Sequence, residues 1–518
     1  MITVDRRAPR IELETRPAAS LAPILAAVLI AAAAAATAAA LSATAVSDQI
    51  WWGAIALGVF CVGLLLLMPA IVGYRGLGLS TWRIGPWALM WGAVAFGPAT
   101  ISWIGPQSGT SAEILPGSIL RALWLIAVAM AMFTFGYCVG PRRMADSLAR
   151  HVSSTLTSRF TDDIRGPAVP WVLFIVGIAG QLALAGVTGH FGYVGQVAGS
   201  TTTASGYSQY LALFGECVPL AVLSAAVRAY RAPRLGAWLT TAVLFTGAIV
   251  VGAVSGGKTS FVVAVLAVII PRTMIRRRLP AGVIAAAIAF FLLIVIPFNL
   301  AYRASARAAV TLSTSSAVET APAIASHVLA SDFSPAVLGH SVDYLAQRVR
   351  TIDSPAIIMQ RTPSQIPYGS PGQLAISPVV DLIPRILWPG KPVLDVGYQM
   401  SQEYYQLPWQ VYTSSDITPE GDLYRHGGWI VLIAGMFLIG CAARIIDEVT
   451  DLRRSIHGAF LIILLFPGLV QAGSDCATLF AGIPEMVLLW YAVTALSFTR
   501  RVGRPCAAPA PPPPVRSR

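Results

Sequence analysis

The chain has few charged side chains, and this lack excludes a soluble globular protein. Asp, Glu, Lys and Arg make up only 12% of the 518 residues, whereas hydrophobic residues make up 56%. The mean hydropathy is +0.68. Soluble domains carry roughly 25% charged residues. The composition therefore indicates a membrane protein.

Lysine is nearly absent, and cysteine is absent from the longest polar segment. Lys258 and Lys391 are the only lysines, so arginine carries most of the positive charge behind a net charge of +12. None of the six cysteines lies in Ala301–Gly427, which excludes a disulfide framework there. We expect neither a metal ion nor a cofactor.

Long apolar runs are abundant. A membrane-spanning helix needs about 20 apolar residues, and the sequence predicts an all-α polytopic membrane protein with about twelve such helices. The first run is too long for a signal peptide and is read as a retained helix. The predicted spans are Leu21–Val46, Trp51–Gly73, Pro86–Ile104, Ile119–Val139, Val169–Thr188, Gln209–Ala229, Ala237–Ser255, Thr259–Ile275, Ala281–Leu300, Gly428–Ala443, Ile456–Gln471 and Gly482–Phe498.

The spans divide the chain into five parts. Residues 1–20 form an N-terminal tail, 21–300 contain helices 1–9, 301–427 form one large loop, 428–498 contain helices 10–12, and 499–518 form a Pro-rich tail. Loops of this size are usually functional. Within the large loop, apolar residues at helical spacing predict a helix over Ser341–Gln360.

Arginine is concentrated in alternate loops, and this pattern gives the orientation. It places both termini in the cytoplasm and Ala301–Gly427 outside the cytoplasmic membrane. The positive charge then faces the anionic inner leaflet, so we expect the lipid bilayer and no nucleic acid as its partner.

The most informative segment is Ile383–Pro392, which reads IPRILWPGKP. Its three prolines fix φ, so the segment loses little entropy when it becomes ordered. Arg385 and Lys391 lie on this stiff backbone beside a membrane, which favours binding of a lipid phosphate group. A purely structural Pro-rich turn is the alternative interpretation.

A second dense polar segment, Ser414–Gly428, leads into the tenth span. Thr418 as N-cap and Pro419 in the first turn predict a helix start. That structural interpretation leaves the nearby carboxylates and histidine unexplained, and such groups can act as a general base. The candidates, left open, are Asp416, Glu420 and His426.

The segment Gly252–Thr259 matches GxxxxGK[ST], the phosphate loop of nucleotide hydrolases. It joins two predicted membrane helices and lacks a preceding strand, so we expect no nucleotide binding. Free amides and Lys258 at a helix start still suit an anion. A tight hairpin with a snorkelling lysine is the alternative.

Three acidic residues, Glu216, Asp475 and Glu485, lie within or beside predicted spans. Charged groups in a bilayer are costly and are functional candidates by default. The alternative is pairing with loop arginines such as Arg303 or Arg307.

The order of these segments resembles the O-antigen polymerase family, the oligosaccharide repeat-unit polymerases of bacterial surface polysaccharides. Asn299, Tyr302 and Arg303 follow a span, the Pro-rich segment comes next, and Thr-Pro-Glu-Gly-Asp-Leu-Tyr then runs into a Gly-Gly helix. The Gly-Gly-Lys turn is similar to that family's Gly-x-Arg turn, with Lys258 in place of arginine. The resemblance covers about Ser255–Arg444.

The resemblance implies a metal-independent membrane glycosyltransferase of the O-antigen polymerase/ligase type, with a large outer loop that caps a lateral lipid cleft. A glycan is transferred from undecaprenyl pyrophosphate to a sugar hydroxyl of another lipid-linked unit. A chain-length regulator and a flippase are the expected partners. Cations stabilise the pyrophosphate leaving group, and a base deprotonates the acceptor. The residues expected to bind the phosphate are Arg385, Lys391, Arg303, Lys258 and Arg361.

Two other functions remain open. An O-antigen ligase has the same architecture and passes a finished glycan to a different lipid acceptor. A polysaccharide transporter or flippase also has about twelve spans, but transporters favour internal repeats and midplane sites, and the sequence shows no convincing repeat.

Overall fold

A computed structural model describes residues 21–72, 82–107, 109–192, 207–276, 280–308, 314–331, 349–383, 388, 390–391, 396–408, 414–470 and 475–500. Helices dominate these residues. The first ten are α1 (Ala22–Ser42), α2 (Val46–Val72), α3 (Ile84–Ala95), α4 (Pro116–Val139), α5 (Arg142–Arg159), α6 (Ala168–Thr188), α7 (Ser208–Gly215), α8 (Cys217–Arg231), α9 (Leu235–Val254) and α10 (Lys258–Arg276).

The remaining helices contain the loop segment and the last spans. They are α11 (Ala281–Phe290), α12 (Ile296–Ala308), α13 (Thr314–Ser331), α14 (Asp353–Arg361), α15 (Pro371–Leu382), α16 (Val396–Gln399), α17 (Pro419–Arg425), α18 (Gly428–Val449), α19 (His457–Val470) and α20 (Cys476–Ser497). One antiparallel sheet pairs β1 (Phe160–Ile164) with β2 (Phe498–Arg500).

Ten segments within the described residues are long and apolar enough to cross a membrane. They expose large apolar side chains: Leu239 on α9 is 56% exposed and Ile430 on α18 is 82% exposed. Surfaces of this kind are rare on soluble proteins but suit contact with lipid. The prediction of an all-α polytopic membrane protein is confirmed. Twelve spans stay a prediction, because α19 and the apolar part of α20 are shorter.

Helices α4 and α18 pack together closely, and glycine makes this approach possible. A Cβ on Gly136 would overlap the carbonyl of Phe437, and a Cβ on Gly440 would overlap that of Phe133. Membrane helices often associate through small residues in this way. The close contact fixes the position of α18 against α4.

The ends of the helices gather at two opposite faces of the bundle. At one face, β1 pairs with β2 and Arg231 at the end of α8 contacts Asp162. We call this the arginine face. At the other face, α14 and α17 cover the ends of α4 and α18. Helices α14 and α17 belong to the large loop of residues 301–427, which we call the insertion. We call this second face the insertion face.

The insertion is fastened to the bundle through one arginine and one aspartate. Asp353 accepts hydrogen bonds from Trp103 Nε1 at 2.8 Å and from Ser111 Oγ at 2.6 Å. Arg350 pairs with Asp353 at 2.9 Å and donates to Gln107 Oε1, also at 2.9 Å. This buried network connects the segment before α14 to the segment between α3 and α4.

Two predicted helices are interrupted in the structure. Within the helix expected over Ser341–Gln360, Val349 is helical, residues 350–352 are not, and α14 begins at Asp353; residues 341–348 lie outside the described part. The predicted span Gln209–Ala229 falls within the candidate span Ser208–Arg231, which a turn at Glu216 divides into α7 and α8.

Candidate functional site

The centre of the candidate site is α17, which begins as the sequence predicts. Thr418 is the N-cap, and its Oγ1 accepts a hydrogen bond from the amide of Gly421 at 3.2 Å. Pro419 occupies the first turn, where its missing N–H costs nothing. The predicted helix start is therefore confirmed, and it fixes the direction of every side chain that follows.

Helix α17 is buried beneath the insertion. It packs against α14, α18 and α20. A Cβ on Gly421 would lie 2.9 Å from Ile358 Cδ1 of α14, so glycine permits this close approach. The polar residues of α17 consequently lie between the insertion and the ends of the spans.

Asp422 is the best-satisfied carboxylate of the helix. Its Oδ1 accepts from Arg425 Nε at 2.8 Å, and its Oδ2 accepts from the amide of Cys476 at 2.9 Å. Burial acts to raise its pKa, but the hydrogen bond from His426 and the charge of Arg425 outweigh burial and hold the pKa below its usual range. Asp422 is thus a fixed negative charge.

His426 lies next to this charge in a defined tautomer. Its Nδ1 is 2.8 Å from the carbonyl oxygen of Asp422 and 3.4 Å from Asp422 Oδ1. A carbonyl oxygen only accepts, so Nδ1 carries the proton and Nε2 of the neutral ring keeps its lone pair. The carbonyl oxygen fixes the orientation of the ring and the nearby carboxylate favours its protonated form, and both effects suit a general base.

The other end of the histidine ring faces Gly369. A Cβ there would lie 2.8 Å from His426 Cδ2 and 3.3 Å from Nε2. The amide of Gly369 donates to the carbonyl of Arg425 at 2.9 Å, which holds this segment of the insertion against α17. Only glycine therefore leaves Nε2 unobstructed on that side.

Glu420 differs from Asp422 in having an unsatisfied oxygen. It is 3% exposed, and its Oε2 has no hydrogen-bond partner in the described residues. It lines a cavity of about 60 Å³ together with Trp91, whose Nε1 is likewise unsatisfied there. Burial raises the pKa of Glu420 to about 7. The carboxyl group can therefore hold or release a proton near neutral pH.

The third predicted base, Asp416, lies just before α17 and is exposed. The structure thus brings the three candidates onto one segment but gives them different surroundings. His426 and Glu420 are buried, whereas Asp416 faces solvent.

The Gly-rich turn and α12 are also brought together. Gly256 has a φ of +71°, a conformation that favours glycine. Asn299 donates to the carbonyl of Gly256, and the hydroxyl of Tyr302 donates to that of Val254. Lys258 begins α10, and Arg303 follows Tyr302 on α12. Helix α9, not a strand, precedes the turn, so the context of a nucleotide-binding loop is missing.

The remaining predicted phosphate ligands are dispersed. Arg361 is buried and pairs with Glu113 at 3.2 Å. Lys391 is buried at 7% exposure. Arg385 lies outside the described residues. Tyr302 and the apolar residues of α17 pack in different apolar clusters of the described residues.

The acidic residues of the spans have specific surroundings. Gln209 donates a hydrogen bond to Glu485, a partner that the sequence did not suggest. Glu216 lies at the turn between α7 and α8, and Asp475 is buried. The alternative of pairing with Arg303 or Arg307 lies outside the described side chains.

Sequence reasoning missed a second charged cluster, at the arginine face. Asp447, near the end of α18, accepts from the amides of Ile84 and Gly85 at 2.6 and 3.0 Å and from the hydroxyl of Tyr137 at 2.6 Å. It caps the start of α3, which has no side-chain cap of its own. A helix cap supplied from 363 residues away has no local signal.

The neighbouring acids of this cluster are paired with arginines. Glu448 accepts from Arg83 and Arg444 at 2.9 Å each, and from Arg454 at 3.0 Å. Asp451 contacts Arg83 at 3.3 Å. The available signal was three acidic residues within a five-residue segment of an arginine-rich stretch. The orientation was predicted from the arginines alone, so these acids were not considered.

These observations define the class: a polytopic α-helical membrane protein whose polar insertion covers the ends of its spans. Residues 193–474, more than half of the chain, match the model of a domain of unknown function, DUF8712. The chain belongs to that family. No curated protein and no solved structure matches it.

Proposed function

We propose that the protein polymerises lipid-linked oligosaccharide repeat units for a bacterial surface polysaccharide. The hydroxyl of an acceptor sugar attacks the anomeric carbon of the donor glycan. A new glycosidic C–O bond forms, the bond to undecaprenyl pyrophosphate breaks, and the hydroxyl proton passes to a base. The resemblance of the Pro-rich segment to the O-antigen polymerase family supports this reaction.

The observation that carries the proposal is the pair formed by Asp422 and His426. The His426 Nδ1 lies 2.8 Å from the Asp422 carbonyl oxygen, so a neutral ring carries its lone pair on Nε2, and the Asp422 carboxylate, whose pKa is lowered, lies beside the ring. Such a pair removes a proton from a sugar hydroxyl without any metal ion. Its position between the insertion and the span ends suits a substrate that is part lipid and part sugar.

A lateral groove suits the lipid part. It lies between α1, α2 and α4, has a volume of about 660 Å³, and is lined by apolar residues such as Leu57, Phe60 and Trp124. Arg121 stands on its rim, and the charge of Arg121 acts on the hydroxyl of Tyr424 in α17. In this proposal the groove holds part of the polyprenyl chain and brings the pyrophosphate toward α17.

The cations supply charge stabilisation for the leaving group. Arg385 and Lys391, with Arg303 and Lys258, act on the pyrophosphate in this proposal, because charge develops there as the bond breaks. Arg361 is already paired with Glu113, so its part is smaller.

The proposed location is the cytoplasmic membrane, with about twelve spans, both termini in the cytoplasm and the insertion outside. The separation of the arginine face from the insertion face supports this orientation. Reporter fusions at Ser154 on α5 and Ser316 on α13 should report opposite sides of the membrane. The same side for both fusions would contradict the orientation.

The direct test is polymer formation by purified protein in vesicles supplied with lipid-linked repeat units. We expect a ladder of products from the unaltered protein. His426→Ala should reduce the rate by 10² or more, since a general base contributes roughly 10²–10⁴. His151→Ala is the matched control, because His151 is exposed on α5 at the arginine face.

The same assay separates the alternatives. Transfer of one preformed glycan to a different lipid acceptor, without a ladder, would indicate a ligase. Movement of lipid-linked units across the vesicle without new glycosidic bonds would indicate a transporter. An unchanged ladder with His426→Ala would show that this histidine is not the base.

A further inference from the structure

The arginine face contains a crevice that the proposed reaction does not use. It lies between α6, α8 and α9 and has a volume of about 570 Å³. We call it the arginine crevice. Its lining combines three arginines and one carboxylate, Asp163, with small or apolar residues such as Pro170, Ala225 and Gly236; the arginines are Arg228, Arg231 and Arg234.

The arginine crevice has surplus positive charge. Arg231 is neutralised by Asp163 at 3.3 Å and Asp162 at 3.7 Å. Arg228 and Arg234 make no ion pair with any carboxylate of the described residues, and their charges repel each other. Two guanidinium groups held together without an anion are costly, and a bound phosphate would remove that cost.

The start of α9 adds to this charge. Arg234 is its N-cap and makes no side-chain capping hydrogen bond. The first amides of a helix have no intrahelical acceptor, and they carry the positive end of the helix dipole. Gly236, in this first turn, lines the crevice.

The arginine crevice lies at the ends of two candidate spans, and this position indicates that the phosphate belongs to a lipid. Two candidate spans meet there, since α8 ends at Arg231 and α9 begins at Leu235. Tyr230 and Trp238 pack edge to face at 4.8 Å beside it. Paired aromatic and basic residues at span ends mark the headgroup level of a bilayer. A soluble anion would not need the apolar wall that Pro170 and Ala225 provide.

We propose that the arginine crevice is a binding site for the headgroup of an anionic glycerophospholipid. Arg228 and Arg234 bind the phosphate, and the wall formed by Pro170 and Ala225 contacts the glycerol and the upper acyl chain. Basic pockets between membrane helices recognise anionic headgroups in this way. The site is independent of the polymerase reaction and lies at the opposite face from His426.

The test is native mass spectrometry of purified protein titrated with phosphatidylglycerol. We expect one saturable adduct with this lipid and none of comparable affinity with phosphatidylcholine or with free glycerol phosphate. A single arginine near an anionic headgroup contributes on the order of fivefold in affinity, so Arg228→Gln with Arg234→Gln should weaken binding by roughly 30-fold.

The matched control is Arg143→Gln with Arg150→Gln. Both residues are exposed on α5 at the same face, so the change in net charge is identical. A second variant, Gly236→Trp, keeps all three arginines and fills the crevice, because a Cβ on Gly236 meets no atom within 4 Å. It should also abolish the adduct, and it tests lipid binding in the crevice even if the double variant fails to fold.

Three outcomes would overturn the proposal. If the control substitutions weaken binding as much as the crevice substitutions, the lipid is attracted diffusely to the whole face. If glycerol phosphate competes as well as the lipid, the ligand is a soluble anion. If phosphatidylglycerol still binds fully to the Gly236→Trp variant, the lipid binds elsewhere.

Discussion

Helix α18 is flanked by a charged group at each end, and the two groups are satisfied in different ways. The helix has 22 residues and is about 33 Å long at 1.5 Å per residue. Before its start lie Glu420, Asp422 and His426; near its end lie Asp447 and Glu448. Both groups are buried, so burial alone does not distinguish them.

The distinction lies in the hydrogen bonds. Both oxygens of Asp447 and both oxygens of Glu448 accept from amides, a phenol or arginines. At the other end, Glu420 has an oxygen without a hydrogen-bond partner in the described residues, and Nδ1 is the nitrogen of His426 that faces the Asp422 carbonyl oxygen. Arg444 of the same cluster as Asp447 and Glu448 keeps Nε and Nη1 without a hydrogen-bond partner in the described residues, but both carboxylates are fully paired, and such pairing rigidifies a fold. Groups with unused capacity are the ones that can exchange protons with a substrate.

The largest effect on stability is expected from Asp447→Ala. It leaves the amides of Ile84 and Gly85 and the hydroxyl of Tyr137 buried without an acceptor, at roughly 1–3 kcal/mol for each group. We expect a loss of about 3–5 kcal/mol, measured as a lower melting temperature in detergent. Asp163→Ala is the control, because it breaks an exposed pair and should cost below about 1 kcal/mol. Equal melting of the two variants would refute the structural role of Asp447.

Glu420 should make the folded protein less stable as the pH rises. Its pKa is raised by burial from 4.5 to about 7, so the folded protein binds the proton more tightly than the unfolded chain. The free energy of unfolding therefore falls as pH rises from about 4.5 to about 7, by roughly 3 kcal/mol. Glu420→Gln should abolish this part of the dependence and be the more stable form at pH 8. The melting temperature of both proteins is measured from pH 5 to pH 8. The same pH dependence in both would contradict the raised pKa of Glu420.

The sequence predicted the class of fold and the local start of α17, because both depend on nearby residues. Apolar runs identify spans, and Thr418 with Pro419 identifies a helix start. It did not predict that Asp447 caps α3 or that Asp353 binds Trp103, since these contacts join residues hundreds of positions apart. Nor did it distinguish Asp416 from His426 as a base, because exposure and tautomer are set by the tertiary structure.

Asp422 and Asp447 can be tested by the same substitution, aspartate to asparagine. The asparagine side chain would still accept from the amide of Cys476 but would lack the charge beside His426. We expect Asp422→Asn to reduce the polymerisation rate by about 10–100-fold at a matched amount of folded protein. Asp447→Asn should leave the rate per folded molecule within about twofold. The reverse pattern would move the reactive group to the arginine face.

The smallest effect is expected at Arg361, which tests whether a buried arginine at the insertion face binds substrate. Its partner Glu113 is 46% exposed, and exposed pairs contribute about 0–1 kcal/mol. If the pair is structural, Arg361→Gln and Glu113→Gln lower the melting temperature slightly and equally, and each leaves polymer formation within about fivefold. A double-mutant cycle should then give a coupling energy below about 1 kcal/mol. If Arg361→Gln abolishes polymer while Glu113→Gln does not, the arginine acts on the pyrophosphate, as the sequence predicts, and its ion pair only holds it in place between turnovers.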